Sequence, residues 1–190
     1  MDSLFGVAGD GFVVLAADAQ VARSILLYQN DLDKIKELDS HKMMALAGPQ
    51  ADCNLFGEYI QKNMALYELN NDLRLSTKAA ANYIRRELAT ALRKGPYQVN
   101  MLMGGVDAGA AALYWLDYLG TLQPVKYGAQ GYGAAFTLSL LDRSYRVGMA
   151  EADAVELVRS CIAALHKRFL IAQPNFVIKV VDKDGIRVLK

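Results

Sequence analysis

The segment LFGVAGDGFVVLAAD, residues 4–18, contains two apolar runs on either side of a tight turn. The turn is Gly9-Asp10-Gly11, in which either glycine can take a positive φ without a Cβ clash. Two apolar runs joined by such a turn predict a β-hairpin. Because residues 12–17 are apolar almost throughout, we expect the second strand to lie centrally in a sheet, covered on both faces.

Outward from this hairpin, further apolar runs bounded by turn residues predict strands. These runs cover residues 35–38, 42–47, 97–103, 112–118, 122–127, 176–181 and 186–189. Residues 19–23 are predicted as a loop that leads into an apolar run, residues 24–28. Gly104-Gly105 is predicted to follow the end of its strand, and the glycine-rich residues 128–133 are predicted as a loop before a helix.

Helices are predicted where apolar residues recur at spacings of three and four. They cover about residues 50–69, 76–94, 134–145 and 151–169. Ser76 is a good N-cap for the second helix, Arg93-Lys94 is predicted in its last turn, and Gly95-Pro96 ends it. The predicted buried stripes include Tyr67 in the first helix and Val155, Ile162 and Phe169 in the fourth.

The order of these elements is strands, two helices, strands, two helices and strands. Runs of strands that alternate with runs of helices predict an α+β fold with antiparallel sheets. The simplest packing is a four-layer αββα sandwich, with two antiparallel sheets between helix pairs, in a single domain over residues 1–190. A chain of 190 residues can bury roughly 70% of its unfolded surface in one such core.

Composition excludes several classes of function. The net charge is +1 with no basic block, which argues against binding nucleic acid or an anionic membrane. Asp2, Asp10 and Asp18 interrupt the region where a signal peptide would lie, so none is expected. A mean hydropathy of +0.12 is high for a lone domain and indicates apolar surface that partners cover.

The sulfur and imidazole residues do not favour a metal or redox site. Cys53 and Cys161 form no Cys-x-x-Cys, and only His41 and His166 could complete a zinc site. We expect both thiols to be reduced and buried, in a cytosolic or nuclear protein without a cofactor. His41 is predicted in a surface turn and His166 in a last helical turn, which suits neither as a catalytic base.

The glycines Gly128, Gly131 and Gly133 do not form a nucleotide-binding motif. Reading from Gly131 places Phe136 where the last glycine of Gly-x-Gly-x-x-Gly belongs, and no Gly-Lys-Ser/Thr follows. A turn into a helix is the better interpretation. This leaves Asp18, at the end of the central strand, and Lys34, at a loop edge, as the remaining charged residues of interest.

In order and spacing, the sequence resembles the β-type subunits of the proteasome 20S core particle, which have the N-terminal nucleophile hydrolase fold. The resemblance spans essentially the whole length. It rests on the hairpin strand that ends in Asp18, on Lys34, Ala47-Gly48, Ala51-Asp52-Cys53, Leu141-Asp142-Arg143 and Asp182-Lys183-Asp184-Gly185. Further short sequence motifs within residues 96–128 resemble those of the subunit at one particular position of the β ring in that family.

The resemblance implies a chemistry that this sequence lacks in part. Active members of the family attack a peptide carbonyl with a processed N-terminal threonine, supported by an aspartate, a lysine and a backbone N–H that forms the oxyanion hole. Asp18, Lys34 and Gly48 match those three supporting positions. The threonine falls on Asp2, and the three groups that orient its amine fall on Tyr132, Phe169 and Ala172.

The resemblance therefore predicts a non-catalytic structural subunit, in which Asp18, Lys34 and Gly48 are vestigial. Its expected work is ring assembly and shaping of the proteolytic chamber for protein degradation, in the cytoplasm and nucleus. Its expected partners are ring neighbours resembling beta type-3 and beta type-5 subunits, α-ring subunits and the opposite β ring, with a side contact near residues 24–28. The alternatives are a cryptic hydrolase that uses Ser3 after removal of Met1 and Asp2, and a free-standing binding module.

Overall fold

A computed structural model of the protein describes residues 2–189. Its strands are β1 (Ser3–Ala8), β2 (Val13–Asp18), β3 (Val21–Arg23), β4 (Leu26–Gln29), β5 (Ile35–Asp39), β6 (Lys42–Ala47), β7 (Asn100–Asp107), β8 (Ala110–Leu116), β9 (Leu122–Val125), β10 (Tyr127–Gly131), β11 (Phe176–Asp182) and β12 (Gly185–Leu189). Its helices are α1 (Gln50–Asn71), α2 (Thr77–Ala91), α3 (Ala134–Ser144) and α4 (Glu151–Arg168).

The predicted opening hairpin is present and central. β1 pairs antiparallel with β2, with Leu4 opposite Ala17 and Ala8 opposite Val13. The turn between them uses a positive φ of 77° at Gly11. β2 is the middle strand of a five-stranded sheet with the order β10-β1-β2-β11-β12, and all its residues are buried. The predictions for residues 4–18 are confirmed.

The two faces of β2 explain why its sequence is apolar almost throughout. Val14 and Ala16 belong to a core shared with α3 and α4, whereas Val13, Leu15 and Ala17 belong to a core shared with the second sheet. Alternate residues of a strand point to opposite faces, so both sets must be apolar. Complete burial of a side chain such as Leu15 stabilises the fold by about 1.5–3 kcal/mol.

The second five-stranded sheet has the order β5-β6-β7-β8-β9. Its outer face packs against α1 and α2 through residues such as Phe56 and Ile84, and its inner face packs against the first sheet through Met43 and Leu102. The layers are therefore a helix pair, a sheet, a sheet and a helix pair. The predicted α+β fold with a four-layer αββα arrangement of two antiparallel sheets is confirmed.

Helix ends and helix faces follow local chemistry, with some differences from the prediction. The Ser76 hydroxyl accepts a hydrogen bond from the Ala79 N–H at 3.2 Å, as expected of an N-cap. α2 ends at Ala91, so Arg93-Lys94 lies beyond it rather than in its last turn.

None of the helices within residues 2–189 is long and apolar enough to cross a membrane.

The predicted buried stripes were partly wrong. Tyr67 is exposed, so the C-terminal end of α1 contributes less to the core than its periodicity suggested. Val155, Ile162 and Phe169 are only half buried. The face of α4 that is fully covered carries instead Ala154, Leu157, Val158, Cys161 and Leu165.

Three segments predicted as loops or strand ends form strands. Residues 19–23 contain β3, which pairs with β4 in a separate two-stranded sheet. The glycine-rich residues 128–131 belong to β10, which pairs with β1 from Ser3↔Gly131 to Val7↔Tyr127. β7 starts at Asn100 rather than residue 97 and continues through Gly104-Gly105. Local sequence does not reveal the pairing of β10 with the distant β1 or of β7 with the distant β6, whereas β3 forms a local hairpin with β4.

Candidate functional site

The ends of strands from both sheets meet at one point. Asp2 immediately precedes β1 and Asp18 ends β2, both in the first sheet. Lys34 immediately precedes β5 and Gly48 follows β6, both in the second sheet. The two sheets pack face to face, so these four residues, which are far apart in sequence, converge at one edge of the sandwich.

Lys34 lies between two carboxylates. Its Nζ is 2.6 Å from Asp2 Oδ1 and 2.8 Å from Asp18 Oδ2. The exposed fraction of the side chain is 4% for Lys34 and 0% for Asp18, but 15% for Asp2. The ammonium is therefore buried against Asp18 on one side and meets a carboxylate nearer the surface on the other.

Asp18 has a full set of donors. Its Oδ1 accepts from the Ser3 N–H at 2.8 Å, and its Oδ2 accepts from the Gln20 N–H at 3.1 Å as well as from Lys34. Burial raises the pKa of the Asp18 carboxyl above its usual range, while the Lys34 ammonium and the Ser3 N–H act in the opposite direction. A buried carboxylate needs such partners, because desolvation penalises its charge.

Gly48 provides a backbone donor to the same cluster. Its N–H donates to Asp2 Oδ2 at 2.9 Å, so the Asp2 carboxylate bridges Gly48 and Lys34. The φ of Gly48 is 149°, and a Cβ at this position would lie 2.1 Å from the Gln98 carbonyl oxygen. Only glycine fits there.

A cleft of about 880 Å³ opens beside this cluster. Asp2 and Gly48 lie on its wall, and β3 with the first residues of α1 form two of its sides. Tyr28, Tyr118 and Tyr132 add aromatic surface to it. The arrangement is an open, half-apolar groove with a backbone donor and a carboxylate at its base.

Comparison with known proteins identifies the family. The profile described as "Proteasome subunit" matches residues 2–181. The chain belongs to the proteasome subunit family. It is 54% identical to proteasome subunit beta type-2-B of Arabidopsis thaliana, over 98% of this chain and 94% of the relative. It is also 41% identical to proteasome subunit beta type-2 of Dictyostelium discoideum, over 100% of this chain and 97% of the relative.

A further relative is proteasome subunit beta type-4 of Saccharomyces cerevisiae, 40% identical over 98% of this chain and 96% of the relative. The motifs within residues 96–128 indicate the ring position that is called beta type-4 in one naming scheme and beta type-2 in another. These relatives carry those two names, so that prediction is confirmed. The chain is a β-type subunit of the proteasome core particle.

The positions that the proteasome family implies can now be located. The structure brings together Asp18, Lys34 and Gly48, and Asp2, on which the resemblance places the family's threonine, lies among them. Tyr132 is exposed on the cleft wall, and its N–H donates to the Asp2 carbonyl at 2.8 Å. The other two positions that orient the amine are matched by Phe169 and Ala172. Neither side chain has an oxygen that could donate or accept a hydrogen bond.

Ser3 has a different role from the one that a nucleophile would need. Its N–H is bonded to Asp18, and its hydroxyl donates to Gln173 Oε1 at 2.8 Å. The residue is fully buried, and it is absent from the residues that line the cleft. Sequence reasoning missed Gln173 because nothing in its local pattern connects it with Ser3, which lies 170 residues away.

The remaining candidates lie away from this chemistry or are inert. His41 Nδ1 is bonded to Ser40 Oγ in the turn before β6, and His166 Nε2 to the Gln173 carbonyl oxygen. Burial raises the pKa of both free thiols, Cys53 and Cys161, to about 12, which keeps them protonated at neutral pH. Within residues 2–189, no cluster of His, Cys, Asp and Glu could hold a metal ion.

Proposed function

We propose that this chain is a non-catalytic β subunit, whose work in the proteasome core particle is to complete the ring and shape the chamber. The observation that carries the proposal is the position of the Asp2 carboxylate. It occupies the space beside Lys34 and the Gly48 N–H, where an active subunit has its attacking hydroxyl and its oxyanion hole. A carboxylate there has no hydroxyl to attack with.

The expected loss of activity is large. Removal of one member of a catalytic unit lowers the rate by roughly 10⁴-fold or more. Here the nucleophile position holds Asp2, and two of the positions that orient its amine hold Phe169 and Ala172. In addition, the Gly48 N–H already donates to Asp2 and has no free direction for a substrate oxyanion.

The alternative, a hydrolase that uses Ser3, finds less support. Its hydroxyl is hydrogen-bonded to Gln173 in the buried core rather than directed into the cleft. Removal of residue 2 would also take away one of the two carboxylates that pair with Lys34. Both features favour Ser3 as a structural residue of β1.

Assembly is supported by a surface that is unusual for a lone chain. Ile25, Leu26, Leu27 and Tyr28 are consecutive and exposed, at and after the turn of the β3–β4 hairpin. A run of four exposed apolar residues favours a protein–protein contact. We assign it to a ring neighbour, resembling a beta type-3 or beta type-5 subunit, whose substrate cleft it would help to shape. Tyr28 also lines this chain's own cleft, so the contact and the cleft are continuous.

The buried free thiols, Cys53 and Cys161, support a reducing compartment, which is the cytoplasm or the nucleus. Assembly with α-ring subunits and with the opposite β ring belongs to the same proposal.

Covalent labelling tests the proposed lack of catalysis. Purified particles that contain this chain are treated with a peptide epoxyketone, and each subunit is then measured by intact mass spectrometry. We expect adducts on active subunits, which serve as the positive control, and an unmodified mass that retains Asp2 for this chain. An adduct on this chain would overturn the proposal, whether the chain retains Asp2 or begins at Ser3.

A further inference from the structure

The Asp2 carboxylate is held in the manner of a bound ligand. Its oxygens accept from Lys34 Nζ at 2.6 Å and from the Gly48 N–H at 2.9 Å, which lie 32 and 46 residues further along the chain. Each donor also has a neighbour other than Asp2. Lys34 is paired with the buried Asp18, and Gly48 lies so close to the Gln98 carbonyl oxygen that a Cβ at this position would be 2.1 Å from it.

We propose that Lys34 and Gly48 form a carboxylate-binding site, and that Asp2 is an internal ligand that keeps it occupied. The inference rests on the proposed non-catalytic function and adds to it the class of ligand that the site takes. Once the Asp2 side chain is removed, the site accepts a small carboxylate from solution. In the native chain, the same contact excludes carboxylate ends of peptides from this point of the cleft.

Charge and geometry select a carboxylate over other groups. The two donors address two different oxygens, Oδ1 and Oδ2, which are the two oxygens of one carboxylate. One donor is an ammonium whose side chain is almost entirely buried, so it favours a charged acceptor. A neutral amide of the same shape presents an NH₂ group to one of the two donors and cannot satisfy both.

The site is also accessible from solvent. Asp2 and Gly48 both line the cleft of about 880 Å³, whereas Asp18 lies behind them and is fully buried. Lys34 does not line the cleft itself but contacts the Asp2 carboxylate, which does, so removal of the Asp2 side chain opens a path from the cleft to both donors for a molecule the size of formate or acetate.

Amide hydrogen exchange at Gly48 tests the proposal, because that N–H is one of the two donors. The Asp2→Ala variant is studied in the assembled particle by exchange mass spectrometry of the peptide that contains Gly48. Exchange is measured in sodium chloride and in sodium formate at equal ionic strength. We expect the variant to exchange at Gly48 about tenfold faster than the native chain in chloride, and formate to reverse most of that increase in a saturable way.

Three controls separate binding from general salt effects. The native chain already holds a carboxylate, so its exchange should not respond to formate. Asp2→Asn retains a side chain of the same size, so formate has no room and no effect. Formamide, the neutral counterpart of formate, should leave Asp2→Ala unchanged. If Asp2→Ala does not assemble, Asp2→Gly is tested with acetate, whose methyl group takes the place of the missing Cβ.

The outcomes distinguish this inference from the function on which it rests. Unchanged Gly48 exchange in formate and acetate, or an equal response in the native chain, overturns the carboxylate site while leaving the absence of an epoxyketone adduct untouched. An adduct on the native chain contradicts the non-catalytic function, whatever the exchange result. Saturable protection that is confined to Asp2→Ala or Asp2→Gly supports the site.

Discussion

Gly48 controls the geometry of the site at the scale of a single residue. Its N–H direction depends on a φ of 149°, and the Gln98 carbonyl oxygen leaves no room for a side chain. Asp2 can bridge Gly48 and Lys34 only because this backbone brings the N–H to face the cleft. The conformation of one glycine therefore decides whether Asp2 can bridge from the Lys34–Asp18 pair to the Gly48 N–H at this edge.

Gly48→Ala should be strongly destabilising. The new Cβ would lie 2.1 Å from the Gln98 carbonyl oxygen, so the backbone must shift, at an expected cost of about 2–4 kcal/mol in free energy of unfolding. Urea denaturation measures this quantity. Gly95→Ala is the matched control, because a Cβ there meets nothing within 4 Å, and it should change stability by less than about 0.5 kcal/mol. Equal effects of the two substitutions would contradict the steric argument.

The sequence could predict which residues occupy the site but not how they are bonded. Elimination of other motifs left Asp18 and Lys34 as residues of interest, and the resemblance added Gly48 and assigned a role to all three. The bridging role of Asp2 depends on a contact across 46 residues and between two sheets. Such a contact follows from tertiary packing, which the sequence does not show. From the sequence, position 2 could only be said to lack a hydroxyl.

At the scale of elements, glycines caused the main errors of interpretation. Gly104 and Gly105 looked like the end of a strand, yet they lie inside β7. A Cβ on Gly104 would lie 2.7 Å from Val13 Cγ1 of the facing sheet, and one on Gly105 would lie 2.6 Å from Thr77 Oγ1 of α2. These glycines mark close approach between layers rather than a turn, and a single sequence does not distinguish the two uses.

A buried lysine links the two sheets. Lys179 of β11, whose side chain is 5% exposed, donates to the Ile35 carbonyl oxygen at 3.0 Å and pairs with Asp33 at 2.7 Å and Glu37 at 3.0 Å. Although burial alone lowers the pKa of Lys179, the Asp33 and Glu37 carboxylates raise it above its ordinary value. The ammonium is therefore charged at neutral pH and joins the first sheet to the edge strand β5 of the second.

Lys179→Met should lower the free energy of unfolding by about 2–3 kcal/mol, since it keeps the apolar stem but leaves the Ile35 carbonyl oxygen without its ammonium donor. The value lies below that of a fully buried pair because Asp33 and Glu37 are partly exposed. Lys183→Met serves as the control, since Lys183 is 79% exposed and should contribute under about 0.5 kcal/mol. Urea denaturation of both variants checks the difference. An unchanged free energy of unfolding in Lys179→Met would argue against a link between the sheets.

At the scale of the whole molecule, much apolar surface faces outward. The exposed large apolar residues include Ile25, Leu26, Leu27, Leu55, Leu66, Leu69, Leu73, Val147 and Leu170. Several lie on α1, which is apolar on its outer side as well as on the face that packs against the second sheet. The mean hydropathy of the sequence indicated such a surface, although it could not locate it. Surfaces of this kind are stable in water when partners cover them.

The β3–β4 hairpin provides the sharpest test of that assembly. Ile25 is 94% exposed, so Ile25→Ser, alone or with Leu26→Ser, should leave the free energy of unfolding of the chain within about 0.5 kcal/mol. If a ring neighbour covers this run, loss of each apolar side chain removes about 1.5–3 kcal/mol from the contact. Incorporation of the variant into the particle, measured by native mass spectrometry in competition with the native chain, should then fall by at least about tenfold.

Val147→Ser is the comparison for that experiment, because Val147 is 88% exposed but lies in the loop between α3 and α4. A loss of incorporation that the hairpin variants show and Val147→Ser does not would assign the effect to the ring contact rather than to surface polarity in general. Incorporated variants should also change peptide cleavage by the adjoining active subunit, since the proposed contact places this run beside the substrate cleft of that subunit. Native levels of incorporation together with native cleavage kinetics in both hairpin variants would contradict the assignment of this run to a neighbour.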